Sequence, residues 1–481
     1  MLKIKDEAAR CLYCEHAPCT KACSAGDPAR AIRAIRFENE RLAAQWFAPC
    51  TRADLEAAEQ ACIHYDQPLR IRELADAVAT LPLSEMKAGD VPSLAIDFCG
   101  IRCENPFFLA SSSICTNYEM VARAFDAGWA GVFYKTICMQ EIREVSPRFD
   151  VVDKPFIGLR NMEQLSENPY EVDFDILRRL KQNYPSKVVV ASIMGQTEEQ
   201  WIELAHMAED AGVDAIELNF SCPQMRLTGM GSDVGQNPEL VTFYTAYVKR
   251  AVKIPVIAKM TPNITHINEP AMGAYFAGAD AISAINTIKS VTMNYQSEVS
   301  EKQTISGYSG RAVKPIALRF ILQMAQNPVM KKIHLSGIGG IETWRDALEF
   351  IQLGCHNVQI CTAVMQYGYR IIDDLQLGLQ TYMSERGISR VEDLVGERLP
   401  QFVSPTDLDR ETIVYPRIDR TVCIGCGRCY RSCEDGGHQA IAFDTETRQP
   451  RIVGTKCVGC HLCRLVCPTG AIGLTKRIAK K

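Results

Sequence analysis

Hydrophobic and polar positions follow three different textures along the chain. In residues 1–90 the stretch from Asp27 to Gln45 is rich in Ala, Arg and Glu, with Ile32, Ile35 and Leu42 at roughly helical spacing, and no strand-like alternation appears. From Val91 to about Asp409 short apolar runs are separated by amphipathic stretches. The runs are 107–110, 131–135, 187–193, 214–220, 254–260, 280–285, 333–337 and 357–362, several of them rich in β-branched residues (KVVVASI, IPVIAKM, NVQICT). The amphipathic stretches include 198–211 and 343–353, and small turn signals recur at 126–128, 210–212 and 276–278, each ending in Ala-Gly. Eight buried strands alternating with helices over about 300 residues predict an α/β fold, a (β/α)8 TIM barrel. A doubly wound sheet is the alternative; the count of eight and the position of the chemistry favour the barrel. A linker at 403–407 ends this region, and Tyr415-Pro416-Arg417-Ile418 opens a last, α+β domain. The expected organisation is a helical domain at 1–90, a barrel at 91–410 and a small C-terminal domain at 411–481.

Composition changes this picture at one point only. Among 481 residues, 47% are hydrophobic and 23% charged, and the net charge of −4 gives no pull toward nucleic acid or anionic membrane. The N-terminus is too charged for a signal peptide and no run of ~18 apolar residues exists, so a cytoplasmic protein without membrane partners is expected. The 21 cysteines are the anomaly: six lie at 11–62, eight at 423–467 and seven between 99 and 361. A disulfide scaffold would be short and secreted, so clustered thiols at both ends of a long chain point to metal sites in a reducing compartment.

The sequence CIGCGRCYRSC spaces Cys423, Cys426, Cys429 and Cys433 as C-x2-C-x2-C-x3-C, and CVGCHLCRLVCP repeats that spacing at Cys457, Cys460, Cys463 and Cys467. Two-cluster bacterial ferredoxins use this arrangement, and in them the fourth cysteine of each motif ligates the other cluster. Cys423, Cys426, Cys429 and Cys467 are therefore expected to hold one 4Fe–4S cluster, and Cys457, Cys460, Cys463 and Cys433 the second. Gly425, Gly427 and Gly459 let the backbone wrap close to the sulfurs. Structural zinc favours two C-x2-C pairs and fits less well. One departure is that Glu434, not proline, follows Cys433. At the other end, CLYCEHAPCTKAC places Cys11, Cys14, Cys19 and Cys23 close together, with Cys50 and Cys62 beyond, which predicts a metal or cluster.

A barrel carries its active site at the C-terminal ends of its strands. Those ends hold Ser111 and Ser112; Lys135 and Thr136; Asn219, Ser221 and Cys222; Lys259; Asn286 and Thr287; the SGIGG run at 336–340; and ICTAV at 360–364. Gly337, Gly339 and Gly340 precede a helix expected near Glu342, which suits a phosphate. Two lysines suit an anionic cofactor. Iron–sulfur domains deliver single electrons whereas barrel substrates are closed-shell, so a converter between one- and two-electron chemistry is needed, and FMN is the expected cofactor. Cys222 in NFSCP lies beside Asn219 and before LTGMGSDVG (227–235), which reads as a mobile loop able to cover a substrate.

Together the motifs AGWAGVFYKT, VSPRFD, NMEQ, ELNFSCPQM, GMGSDVGQNPELV, AKMTPNI, NTIKS, SGYSGRAVKPIALR, SGIGGIETW and DGGHQA resemble the dihydropyrimidine dehydrogenase family over about 93–472. The match is closest to its bacterial catalytic chains that carry FMN and C-terminal clusters. The resemblance implies a pyrimidine-catabolic oxidoreductase in which Cys222 is the proton donor or acceptor. It implies substrate binding by Asn161, Glu163, Asn219, Ser221, Asn286 and Thr287. It implies FMN binding by Ser111, Lys135, Thr136, Lys259, Gly310, Gly339, Gly340, Ile341, Cys361 and Thr362. Reducing the 5,6 double bond of uracil or thymine needs a hydride at C6, from flavin N5, and a proton at C5. An ordinary thiol, with a pKa of about 8.5, is protonated at neutral pH and can serve as that acid. Asn side chains offer a donor and an acceptor, matching the alternating edge of a pyrimidine.

The chain departs from the resemblance twice. The segment VTMNYQSEVSEKQT after NTIKS is short, which bears on substrate identity. The N-terminal region resembles the helical iron–sulfur domain usually found on the partner subunit, here fused and shortened. That pattern uses seven cysteines and a glutamine, near whose place Glu73 lies. It implies one further 4Fe–4S cluster on Cys11, Cys14, Cys19 and Cys62, and a second that would draw on Cys23, Cys50 and non-cysteine ligands. No nucleotide-binding Rossmann fingerprint is present, because SGIGG falls late in the barrel and is not followed by an acidic residue suited to a ribose. Electrons are therefore expected from a separate FAD/NAD(P)-binding subunit or another iron–sulfur carrier, in a hetero-oligomer. The competing functions are a dihydroorotate dehydrogenase-like reaction, which would need a cationic site for the substrate carboxylate, reduction of another cyclic amide or enone, and a non-catalytic electron-transfer subunit.

Overall fold

The computed structural model describes residues 4–64, 66–83, 91–152, 157–223, 225, 229–292 and 304–480. They form two compact units, one ending at Pro400 and one from Gln401 onward. In the first unit all eight predicted apolar runs are strands: β1 (Phe107–Leu109), β2 (Gly131–Phe133), β3 (Val188–Ile193), β4 (Ala215–Asn219), β5 (Val256–Lys259), β6 (Ala281–Ala284), β7 (His334–Ile338) and β8 (Cys355–Ile360). They pair in sequence order, each parallel to the next, and β8 closes onto β1 through Val358 opposite Phe107. Every residue of β3, β4, β5 and β6 is buried, as expected when helices cover one face of a sheet and the barrel core the other. Asn117, Thr197, Asn237 and Thr343 cap the following helices with their side chains, so four of the return crossovers begin with a first-turn amide satisfied.

One charged pair lies inside the barrel. Glu217 on β4 has no solvent exposure, and Lys259 at the end of β5 is 3% exposed. Lys259 Nζ donates to Glu217 Oε1 at 3.2 Å, Ser192 Oγ donates to the same oxygen at 3.0 Å, and Ser283 Oγ donates to Oε2 at 2.8 Å. Serines from β3 and β6 thus complete the shell that a buried carboxylate requires.

Six helices precede the barrel: α1 (Ile4–Ala8), α2 (Pro18–Lys21), α3 (Pro28–Arg36), α4 (Glu40–Phe47), α5 (Arg52–Gln60) and α6 (Ile71–Val78). The predicted continuous helical stretch from Asp27 to Gln45 is two helices, because Glu38 takes a left-handed φ of 67° and turns the chain. The helices pack on the barrel flank through polar contacts. Arg33 forms an ion pair with Asp374 at 2.7 Å, Asn39 Nδ2 donates to the Asp374 carbonyl at 2.9 Å, and Trp344 Nε1 donates to the Glu38 carbonyl at 3.1 Å. The sequence pattern did not predict a four-stranded antiparallel sheet built from the loops after β2 and β6, in the order Ile288–Ser290, Ser306–Ser309, Gly158–Asn161, Phe149–Val152. Its strands have three or four residues and carry polar side chains, so no alternation long enough to read exists.

In the second unit each cysteine motif runs into a helix, Arg428–Gly436 or Leu462–Leu465, and three two-stranded antiparallel sheets join the parts. The two motifs share a backbone path. Gly425 and Gly427 have φ of 64° and 75°, and Gly459 and His461, at the matching positions, have 70° and 60°. Among the described residues no helix is long and apolar enough to cross a membrane.

Two stability predictions follow from these buried charges. Changing Glu217 to Gln leaves the Lys259 ammonium uncompensated, and urea denaturation should show a loss of about 3 kcal/mol that Lys259→Met in the same chain partly restores. Burial pushes the Asp374 carboxyl up to about 6, against the opposing pull of Arg33. A carboxyl whose folded pKa lies above its unfolded one penalises the fold at neutral pH, and the penalty fades as pH falls through about 6. Arg33→Met should therefore cost about 3 kcal/mol at pH ~7 and distinctly less at pH ~5, read from the same unfolding curves.

Candidate active site

A cavity of about 1050 Å³, open mouth included, lies at the C-terminal ends of the barrel strands. The sequence-predicted residues converge on it. Ser111, Lys135, Thr136, Asn161, Glu163, Asn219, Cys222, Lys259, Asn286, Thr287, Gly310, Gly339, Gly340, Ile341, Cys361 and Thr362 all line it. Ser221 does not. It is fully buried behind the wall, where its hydroxyl donates to Asn219 Oδ1 at 2.8 Å and accepts from Asn286 Nδ2 at 2.9 Å. Its place in the structure is to fix two asparagine amides that face the cavity. Parts of two predicted features, 227–228 of the covering loop and 293–303 of the short segment after NTIKS, lie outside the described residues.

The wall is one connected polar system. Asn219 Nδ2 donates to Thr136 Oγ1 at 2.9 Å, and Thr136 Oγ1 lies 3.1 Å from Ser111 Oγ and 3.0 Å from Ser192 Oγ, which leads to Glu217. Glu163 sits between two cations, with Lys135 Nζ at 2.8 Å and Arg148 at 3.2 Å. Asn161 ends a strand of the antiparallel sheet, and the neighbouring Gly307 is dictated by space: a Cβ there would stand 2.4 Å from Thr287 Oγ1 and 3.2 Å from Asn161 Nδ2. Cys222 is 5% exposed, and its carbonyl accepts from Ser232 N at 2.9 Å, which anchors the start of the loop.

The opposite side of the cavity offers backbone amides. Gly339 and Gly340 have φ of 130° and 74°, and a Cβ on Gly340 would meet the Gly310 carbonyl at 2.8 Å. The helix expected near Glu342 begins at Trp344, and the amides of Glu342, Thr343 and Asp346 at its start are already used in a capping box. The amides available to a phosphate are therefore those of the glycine turn and of Cys361–Thr362, where the short helix Thr362–Tyr367 starts with no side-chain cap. Two buried lysines, a glycine turn without Cβ atoms and an uncapped helix start fit the phosphate and ring of a flavin mononucleotide.

Sequence reasoning missed Glu217. Its signal was present as a single charge inside the apolar run AIELN, which a barrel interior tolerates only with full pairing. Glu342 was also missed. It lines the cavity, burial raises its pKa, and it pairs with Arg36 of α3 at 3.3 Å, so the N-terminal helices reach the cavity rim.

The thiols gather around three further cavities of nearly equal size. One of about 340 Å³ is lined by Cys423, Cys426, Cys429 and Cys467, and one of about 350 Å³ by Cys433, Cys457, Cys460 and Cys463. The third, about 340 Å³, is lined by Cys11, Cys14, Cys19 and Cys62. Among the described residues no group of three or more Cys, His, Asp or Glu is gathered closely enough to hold a single metal ion. Ala440 N donates to Cys433 Sγ at 3.3 Å. Cys23 and Cys50 stand apart from all three cavities, with their sulfurs 3.4 Å from each other.

Comparison with known proteins places this geometry. Residues 93–383, more than half of the chain, match the family model described as dihydroorotate dehydrogenase, and residues 416–474 match the 4Fe-4S dicluster domain. The chain is 52% identical over 397 residues to the NAD-dependent dihydropyrimidine dehydrogenase subunit PreA of Escherichia coli K12, covering 81% of this chain and 97% of the relative. It is 38% identical over 338 residues to the chloroplastic dihydropyrimidine dehydrogenase (NADP(+)) of Arabidopsis thaliana, covering 66% of this chain and 79% of the relative. Among solved structures, dihydroorotate dehydrogenase of Eimeria tenella in complex with ferulenol shares the fold, with a TM-score of 0.56 at 19% identity over 67% of this chain and 92% of that one. On the barrel, the dicluster unit and these relatives, the chain belongs to the dihydropyrimidine dehydrogenase family of oxidoreductases.

Proposed function

We propose that the chain is the catalytic component of a dihydropyrimidine dehydrogenase, acting on the 5,6 double bond of uracil or thymine or on the dihydro form. The observation that carries this reading is the convergence of Cys222, three asparagine amides and two lysines on one cavity at the strand ends. FMN, when bound, supplies or accepts the hydride. Lys135, Lys259, Ser111, Thr136, Ile341 and the amides near Gly310, Gly339, Gly340, Cys361 and Thr362 would hold it. Asn161, Asn219, Asn286 and Thr287 would read the pyrimidine edge, since an amide side chain both donates and accepts. Glu163 would accept from a ring N–H while it screens Lys135. Ser221 acts behind them by orienting Asn219 and Asn286. Cys222 Sγ holds the proton that passes to C5, and the thiolate left behind regains a proton from solvent.

The pairing of the cavity cations separates pyrimidines from a carboxylated substrate. Lys135 is matched by Glu163 at 2.8 Å, Lys259 by Glu217 at 3.2 Å and Arg311 by Glu342 at 4.0 Å. The two buried lysines of the cavity are thus already neutralised, and Arg311 shares Glu342 with Arg36, a pairing that favours neutral uracil or thymine over dihydroorotate.

For electron supply we place 4Fe–4S clusters at the three four-thiol cavities, two in the C-terminal unit and one in the N-terminal helices. A separate FAD/NAD(P)-binding or iron–sulfur subunit would feed them. The name of the Escherichia coli relative, a subunit of an NAD-dependent enzyme, supports that arrangement.

Cys222→Ala should lower kcat for uracil about 10²–10⁴-fold while bound flavin, read by absorbance, stays constant. Unchanged turnover excludes the proton-transfer role. Iron analysis of anaerobically purified chain should give about twelve irons, falling by about four in Cys62→Ser; about eight in the unaltered chain refutes the N-terminal cluster.

A further inference from the structure

Cys23 and Cys50 are the two N-terminal cysteines that line no cluster cavity. Cys23 Sγ donates to Cys50 Sγ across 3.4 Å, and both thiols lie within hydrogen-bonding reach of the Ala25 carbonyl, at 3.0 Å and 3.2 Å. The surrounding loops hold them there. Ser24, next to Cys23, donates its amide and hydroxyl to Asp54 Oδ1 at 2.9 Å and 2.7 Å, while Asp54 Oδ2 accepts from Thr51, next to Cys50. Gly26 completes the fit, since a Cβ there would stand 2.5 Å from Cys50 Sγ. Both cysteines are half-buried and their neighbours 24–26, 48–49 and 51 are exposed, so small molecules can reach them.

Two sulfurs in contact are too close to occupy separate corners of a cluster and well placed to bond to each other. A disulfide needs them at about 2.05 Å, a closure of a little over 1 Å that side-chain rotation can supply. From these contacts we infer that Cys23 and Cys50 form a reversible dithiol/disulfide pair, oxidised by hydrogen peroxide or a small-molecule disulfide such as oxidised glutathione. With peroxide, the two thiols lose two protons and two electrons, the S–S bond forms, the O–O bond breaks and two waters result. With oxidised glutathione, one thiolate attacks a glutathione sulfur, the second cysteine displaces it, and two glutathione thiols leave.

The location gives the bond a consequence. Cys23 lies four residues beyond Cys19, and Cys50 precedes α5, whose far end leads to Cys62. The disulfide would strap together two walls of the cavity that Cys19 and Cys62 line.

The test uses the full chain, purified anaerobically. It is equilibrated with glutathione buffers of rising oxidised fraction, quenched in acid urea with N-ethylmaleimide, digested with trypsin and read by mass spectrometry. The expected product is peptide Ala22–Arg30 joined to Leu42–Arg52, two hydrogens lighter than the separate pair. It should appear along a single two-electron titration, disappear with dithiothreitol, and form without loss of iron. Cys23→Ser should abolish the link and leave Cys50 either alkylated or, in oxidising buffer, as an unresolved glutathione adduct that the unaltered chain does not accumulate, with iron content equal to the unaltered chain. Two unlinked peptides at the most oxidising buffer, or stable glutathione adducts on either cysteine of the unaltered chain, overturn the inference. So does a loss of about four irons in Cys23→Ser or Cys50→Ser, which would make these sulfurs cluster ligands.

Discussion

A carboxylate without solvent exposure inside a parallel barrel is tolerated only if every oxygen is partnered, and Glu217 sets that requirement for the rest of the site. Meeting it draws Lys259 from β5, Ser192 from β3 and Ser283 from β6 onto one side chain. Ser192 continues to Thr136, and Thr136 to Ser111 and Asn219, so residues on or just after six of the eight barrel strands share one hydrogen-bonded frame. The groups that face the cavity are held by this frame rather than by the loops that follow the strands. That division suits a site in which a planar cofactor and a planar substrate must stay in register while the covering loops change.

The strands were legible because a parallel barrel buries both faces, which turns each strand into a short uninterrupted apolar run. All eight runs between Phe107 and Ile360 are barrel strands. Residues at their ends were legible for the same reason: a polar side chain directly after such a run has one place to point. The antiparallel sheet carrying Asn161 escaped because three- and four-residue strands of mixed polarity leave no periodic signal. Asn161 itself came from resemblance and not from pattern. The break at Glu38 was invisible because a glutamate in a left-handed conformation looks, in sequence, like any helical glutamate. Ser221 was read as a substrate contact by resemblance, whereas its hydroxyl is taken up between Asn219 and Asn286 behind the cavity wall.

The N-terminal helices meet the barrel through ion pairs as well as through Phe37, which is buried in the barrel's hydrophobic core. Arg33 reaches Asp374, and Arg36 reaches both Glu342 at 3.3 Å and the Tyr367 hydroxyl at 3.0 Å, which lie beyond the ends of β7 and β8. Those are the segments that also supply the glycine turn and the uncapped helix start. A helical segment carrying its own thiol cavity is thereby fixed to the part of the barrel that offers anion-binding amides. Because the segment belongs to the same chain as the barrel, this contact is intramolecular.

In the C-terminal unit each cavity is closed by the last cysteine of the other motif: Cys467 completes the set begun by Cys423, and Cys433 the set begun by Cys457. The two halves of the unit are consequently not interchangeable modules. Each half supplies three thiols of one cavity and the fourth of the other, so a break in the chain between them would separate the members of both sets. The repeat in the sequence reads as two copies of one spacing, but the interlocked sulfurs make the two copies a single object.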